Sequence, residues 1–195
     1  PMRALDQLAA ALGDGRAVAV PRRTSFEDFL AHDARVPVGR GEHGPYTFDG
    51  RAALLEPVRM IDLVLGSGTG APLPDATLAL CGGAQFGKTV LELNLGVYLT
   101  SLAWLNWGLY LPNEDLVQGI VDTKLRPDII DQIPWFAQMV QVGRAVNKSG
   151  RAVNRKGAFS VTDGKRHSHG MVIGLNRIPT TFSFDVAVLD EVDDI

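Results

Sequence analysis

The chain has 195 residues, of which 46% are hydrophobic and 21% are charged, with 19 basic and 22 acidic side chains. The formal net charge of −3 excludes a protein that coats nucleic acid through a generally basic surface, although a local basic face remains possible. The single cysteine, Cys81, excludes a disulfide framework, and no run of about 18 apolar residues is present to span a membrane. We therefore expect a soluble, intracellular protein with a sizeable core.

The first 75 residues predict a helical appendage. Residues 3–12 form one predicted helix, and Thr24 and Glu27 stand at capping-box spacing to open a second, which runs to about residue 35. A third predicted helix covers residues 49–65, where Pro57 introduces a possible kink. A stretch rich in glycine and proline follows at 66–75 and is typical of a linker.

Beyond the linker, the pattern changes to strands that alternate with helices. The predicted strands cover 77–82, 105–111 and a buried segment at 184–190, with β-like pieces between 139 and 175, and the predicted helices cover 88–101 and a segment capped by Asn113. This alternation predicts an α/β fold over residues 76–195, with a mostly parallel sheet flanked by helices.

Residues 82–89 read GGAQFGKT and match the phosphate-loop motif G-x-x-x-x-G-K-[ST] in full. The motif lies between a predicted strand and a predicted helix, where backbone N–H groups and the helix dipole favour phosphate binding. We expect Lys88 to reach the β- and γ-phosphates of ATP and Thr89 to place its hydroxyl on Mg²⁺. The alternative is a glycine-rich turn with an exposed lysine. The predicted nucleotide contacts are Gly82, Gly83, Ala84, Gln85, Phe86, Gly87, Lys88 and Thr89.

The chain closes with the apolar run VAVL followed by two carboxylates, Asp190 and Glu191. An apolar strand that ends in two acids is typical of a Walker B strand. We expect Asp190 to hold the Mg²⁺ shell beside Thr89 and Glu191 to activate the attacking water as a general base. The alternative is a strand that ends in solvated acids. The phosphate loop upstream favours the metal-binding interpretation.

The strings GGAQFGKT, LYLPNEDL and VAVLDEVDD resemble the ATPase domain of tailed-phage large terminase subunits, especially their lambda-like branch. The resemblance covers roughly residues 24–195 and implies an ASCE-type P-loop NTPase fold. It implies a motor that uses ATP and Mg²⁺ to move viral double-stranded DNA into a procapsid. It also suggests that Tyr46, after Pro45, stacks on adenine, with packing or turn formation as an equal alternative.

The same resemblance implies partners and a location. The partners are double-stranded DNA, the portal, a small terminase subunit and sister subunits in a ring on the portal, with no membrane involved. The location is the cytoplasm of the infected bacterial host, at the procapsid portal.

Two departures from the family accompany this resemblance. Many terminases carry an arginine inside the phosphate loop, where this chain has Ala84 or Gln85, so any arginine finger is expected elsewhere. The family's coupling motif and nuclease domain lie beyond the Walker B strand, and this sequence stops at Ile195. We therefore expect a fragment, because in this ATPase class the next strand inserts beside the phosphate-loop strand. Different pairing of the sheet is the alternative.

The segment 144–169 is basic within an acidic protein, with seven basic residues, one acidic residue and a net charge of +6. Such a segment can grip DNA through its phosphates, and we expect Arg151, Arg155 and Lys156 to make such contacts. A solvated loop or a boundary with a neighbouring subunit is the alternative.

Two other functions remain open at this stage. A superfamily-2 helicase is one, since Asp190, Glu191, Val192 and Asp193 formally supply its acidic box. A nucleotide-binding assembly module without turnover is the other.

Overall fold

The computed structural model describes residues 20–39, 41–67, 72–73, 75–80, 87–142, 145–146, 152–153, 157–177 and 183–190. Its helices are α1 (Phe26–His32), α2 (Leu55–Leu65), α3 (Lys88–Tyr98), α4 (Glu114–Ile120) and α5 (Pro134–Met139). Its strands are β1 (Arg35–Gly39), β2 (Glu42–Pro45), β3 (Trp107–Leu111), β4 (Val140–Val142), β5 (Ala145–Val146), β6 (Ala152–Val153), β7 (Ala158–Thr162), β8 (His167–Gly174) and β9 (Val186–Leu189).

Among the described residues, the main sheet has five strands in the order β4-β7-β8-β3-β9 and is flanked by helices, so the expected α/β class is confirmed. Strand β3 lies parallel to both β8 and β9. Strand β7 runs antiparallel to β4 and to β8. The described sheet is therefore mixed rather than mostly parallel. The physical reason is the short connection between β7 and β8, because so few residues can join only antiparallel neighbours.

Two strand predictions differ from the structure. Residues 76–80 are described and form no strand, so the strand predicted at 77–82 is wrong for residues 77–80. An apolar run becomes a strand only when another strand pairs with it, and these residues have no such partner within the described ranges. Strand β9 forms as predicted, but it is not buried, since Leu189 is 52% exposed. The reason is that β9 is an edge strand of the described sheet.

Helix α1 begins one residue later than its capping-box pattern predicts. The cap is Ser25, whose hydroxyl accepts a hydrogen bond from the Asp28 N–H at 3.0 Å. The Asp62 carboxylate of α2 accepts two more, from the N–H groups of Phe26 at 2.6 Å and Glu27 at 3.0 Å. These bonds satisfy first-turn donors that have no partner inside the helix.

In α2, Pro57 lies in the first turn, where the missing N–H of a proline removes no hydrogen bond from the helix.

The N-terminal helices share one hydrophobic core with the sheet domain. The rings of Phe26 and Phe29 in α1 pack on Tyr98 of α3, with centroid distances of 5.5 and 5.9 Å. Leu54 and Val58 belong to the same buried cluster. Helix α1 is thus packed against α3, and the predicted domain boundary stays a prediction.

No helix in the described ranges is long and apolar enough to cross a membrane.

Candidate nucleotide-binding site

The described part of the predicted phosphate loop begins at Gly87, the residue that caps α3. Gly87 has φ 86° and ψ 13°, a left-handed conformation that glycine adopts without steric cost. Within the described residues, no side chain makes a capping hydrogen bond at this helix end. Lys88 and Thr89 follow directly as the first two residues of the helix. This arrangement is typical of an anion-binding helix N-terminus.

Strand β9 positions Asp190 beside the first turn of α3. Residues 186–189 pair with β3, and the Asp190 N–H continues the ladder by donating to the Tyr110 carbonyl at 3.0 Å. The Asp190 side chain is buried, with 4% exposure. The Thr89 hydroxyl Oγ1 donates a hydrogen bond to Asp190 Oδ2 at 3.2 Å. The fold therefore brings together the two residues that the sequence assigns to Mg²⁺.

The chemistry of this pair suits a hard cation. Hydroxyl and carboxylate oxygens are ligands that Mg²⁺ prefers. Asp190 is buried and forms no ion pair with a described residue. The described residues contain no group of three or more His, Cys, Asp or Glu side chains that could hold a metal. A magnesium ion at this pair would therefore complete its shell with phosphate oxygens and water.

Tyr46 directly follows β2 and is 4% exposed. Its ring packs edge-on against Phe48, with centroids 5.4 Å apart, and the Arg51 guanidinium carbon lies 5.7 Å from the Tyr46 centroid. Burial raises the pKa of the Tyr46 hydroxyl above its ordinary value, and the nearby Arg51 charge opposes this rise. An adenine ring would reach Tyr46 only after its neighbours moved, and the stacking role stays a prediction.

Arg51 is a residue of this region that sequence reasoning did not identify. A Cβ placed on Gly87 would lie 3.8 Å from Arg51 Nε and 3.9 Å from the Leu54 side chain. Arg51 therefore lies against the residue that opens α3. No motif includes Arg51, and its position depends on how the segment before α2 packs, so the sequence carried no signal for it.

Several predicted site residues lie outside the described residues. They are Gly82, Gly83, Ala84, Gln85, Phe86, Arg151, Arg155, Lys156 and Glu191. Their assigned roles stay predictions.

The described end of the basic segment is the turn between β7 and β8. Arg166 Nη2 lies 2.9 Å from Asp163 Oδ2, and the guanidinium carbon lies 4.3 Å from the Trp104 ring centroid. Hydrogen bonds from the backbone N–H groups of Arg166 and Lys165 lower the pKa of Asp163 to about 2. Arg166 is thus paired within its own turn, whereas Lys165 is exposed.

The chain matched no protein-family model, no curated protein and no solved structure.

Proposed function

We propose that this chain binds ATP with Mg²⁺ at the start of α3 and hydrolyses it. The observation that carries the proposal is the hydrogen bond between Thr89 and Asp190. It joins the last residue of the phosphate-loop motif to the first carboxylate after the apolar strand of the Walker B motif. Two independent motifs whose functional side chains meet in space support a shared site more strongly than either motif alone.

Each residue has a role that its chemistry supplies. Lys88 and the N–H groups of the loop bind the phosphates, with the helix dipole adding a favourable field. Thr89 and Asp190 hold Mg²⁺, which when bound neutralises charge on the β- and γ-phosphates. Glu191 follows Asp190 in the chain and accepts the proton of the attacking water.

We further propose that this hydrolysis powers translocation of viral double-stranded DNA into a procapsid. The resemblance of the phosphate loop and the Walker B strand to large terminase subunits supports this step. The net charge of +6 in the segment 144–169 is compatible with a DNA-contacting face. The portal, a small terminase subunit and sister subunits in a ring are the partners of such a motor, which acts at the portal in the host cytoplasm.

Steady-state ATP turnover by the complete motor tests the proposal. Lys88→Ala removes the cation that contacts the phosphates, and we expect turnover to fall by about 100-fold or more. Lys124→Ala is the matched control, because Lys124 is an exposed lysine that belongs to neither motif, and it should leave turnover unchanged.

Unchanged turnover in the Lys88→Ala motor would place the active nucleotide site elsewhere. Two results would favour the alternative functions. Separation of DNA strands without procapsid filling would indicate a helicase. Tight ATP binding without turnover by the wild-type motor would indicate an assembly module.

A further inference from the structure

The backbone around Arg51 is fixed by short-range hydrogen bonds. The Arg51 N–H donates to the Phe48 carbonyl at 2.8 Å, and the Arg51 carbonyl accepts from the Leu54 N–H at 2.8 Å. The residue thus caps the helical turn Ala52–Leu54 that leads into α2. A side chain that starts from such a fixed backbone loses less conformational freedom when it binds a ligand.

The side chain of Arg51 lies between two features of the candidate site. Its guanidinium carbon is 5.7 Å from the Tyr46 ring centroid, and its Nε is 3.8 Å from the position of a Cβ on Gly87. Gly87 opens α3, so the Arg51 head group lies beside the helix end where phosphate is proposed to bind.

The charge of Arg51 has no counter-charge among the described residues. Four other arginines each lie within 4.0 Å of a carboxylate, namely Arg23, Arg59, Arg126 and Arg166. Arg51 is partly buried and forms no such pair within the described part of the chain. Arg51, the lysine that follows Gly87 in the chain and the positive end of the α3 dipole are charges that favour a bound polyanion.

A second polar group in this cluster also lacks a partner. Tyr46 is 4% exposed, and its hydroxyl oxygen is buried without a hydrogen-bond partner among the described residues. Buried hydroxyls usually have partners, so this oxygen is an unsatisfied polar atom on the ring that Arg51 contacts.

We propose that Arg51 is a nucleotide-binding residue whose guanidinium contacts the phosphate chain of the bound nucleoside triphosphate. The inference deepens the proposed function and rests on it. It adds a cation from the segment before α2 to the site built by Lys88, Thr89 and Asp190. The planar guanidinium suits phosphate because it can donate two parallel hydrogen bonds.

The test is calorimetric binding of ATP, ADP and AMP to the full chain in the presence of Mg²⁺. Arg51→Gln should weaken ATP binding by about 10- to 100-fold, the loss expected for a charge-assisted hydrogen bond. Binding of AMP, which lacks the β- and γ-phosphates, should change much less. Arg51→Lys keeps the charge without the planar fork, and it should weaken ATP binding by an intermediate factor. The matched control is Arg126→Gln, which removes an exposed arginine from the π-helical segment Val121–Ile129.

Several results would overturn the inference. If Arg51→Gln binds ATP as the wild type does while Lys88→Ala does not, Arg51 has no phosphate contact and the proposed function stands. Equal losses for ATP and AMP would mean that Arg51 only supports Tyr46. If Arg51→Gln does not fold, wild-type ATP affinity in Arg51→Lys would overturn the inference instead. If the wild-type chain binds no ATP, the proposed function and this inference both fail.

Discussion

Thr89 and Asp190 are 101 positions apart in the sequence, and their side-chain oxygens lie 3.2 Å apart in the fold. Each is placed by a different regular element, Thr89 by the first turn of α3 and Asp190 by the end of β9. Neither position depends on a long flexible side chain, because Thr and Asp both have short ones. Such placement by rigid elements is what a metal site requires.

We predict that Glu191 activates the attacking water and contributes little to nucleotide affinity. Glu191→Gln keeps the size and polarity of the side chain but removes its ability to accept a proton. We expect ATP affinity to stay nearly unchanged while turnover falls by about 10²- to 10⁴-fold. Affinity and turnover are measured on the same sample, so that loss of folding is not mistaken for loss of chemistry. Wild-type turnover in this variant would assign the base to another residue.

Residues within motifs were predictable from the sequence, and the residue outside them was not. The phosphate-loop pattern selected Lys88 and Thr89 as candidates, and the acidic end of an apolar strand selected Asp190, and the fold places Thr89 and Asp190 in contact. Arg51 follows no pattern, since its closeness to Gly87 arises only when the segment before α2 packs beside α3. A contact of this kind depends on tertiary structure, which local sequence patterns do not encode.

Helix α3 packs closely against strand β3 at Gly96. A Cβ placed on Gly96 would lie 2.8 Å from three atoms of the Trp107 ring, which belongs to β3 and is fully buried. A ring that is enclosed on all sides cannot move aside, so only glycine allows α3 to approach β3 this closely.

Gly96→Ala should therefore destabilise the fold, although alanine is the better helix former. Overpacking costs about 1–3 kcal/mol, which exceeds the roughly 1 kcal/mol gained from helix propensity. Gly119→Ala in α4 is the matched control, because a Cβ placed on Gly119 would meet nothing within 4 Å. That change should raise the free energy of unfolding by about 0.4–1 kcal/mol. Urea unfolding of both variants measures the two effects, and a stabilising Gly96→Ala would contradict the packing argument.

Most elements after residue 88 were predictable, because their apolar periodicity and caps are local. Asn113 caps α4 as its sequence indicated, accepting a hydrogen bond from the Leu116 N–H at 3.0 Å. The failures involve partners distant in sequence. Residues 77–80 lack a described partner strand, and Asp62 helps to cap α1 from another helix. Apolar character predicts a strand reliably only when the strand that pairs with it is also known.

At the scale of the whole molecule, charge is unevenly distributed. The chain has a net charge of −3, yet the segment 144–169 carries a net charge of +6. Within the described residues of that segment, Arg166 is paired with Asp163, so it has less charge available for DNA than an unpaired arginine. The predicted contacts with DNA phosphates therefore depend mainly on Arg151, Arg155 and Lys156.

Replacing Arg151, Arg155 and Lys156 together by alanine tests the DNA-binding role. We expect weaker binding of duplex DNA, about equally for different base sequences, because phosphate contacts carry no sequence information. The plot of log K against log salt has a negative slope. This slope should become shallower by about 0.9 for each DNA phosphate that the variant no longer neutralises. Basal ATP turnover without DNA should change little. An unchanged salt slope with altered assembly on the portal would assign the segment to a subunit boundary.

The dependence of ATP affinity on Mg²⁺ shows whether Thr89 and Asp190 form a magnesium site. ATP binding is measured with Mg²⁺ and with chelator for the wild type, for Asp190→Asn, and for Asp115→Asn as an exposed control in α4. Asparagine keeps the shape of Asp190 and can still accept the Thr89 hydrogen bond, but it lacks the charge that attracts the cation. We predict that Mg²⁺ strengthens ATP binding in the wild type and the control, and that Asp190→Asn reduces this gain by about 10- to 100-fold. The same gain from Mg²⁺ in all three proteins would contradict the assignment of Thr89 and Asp190 as the magnesium site.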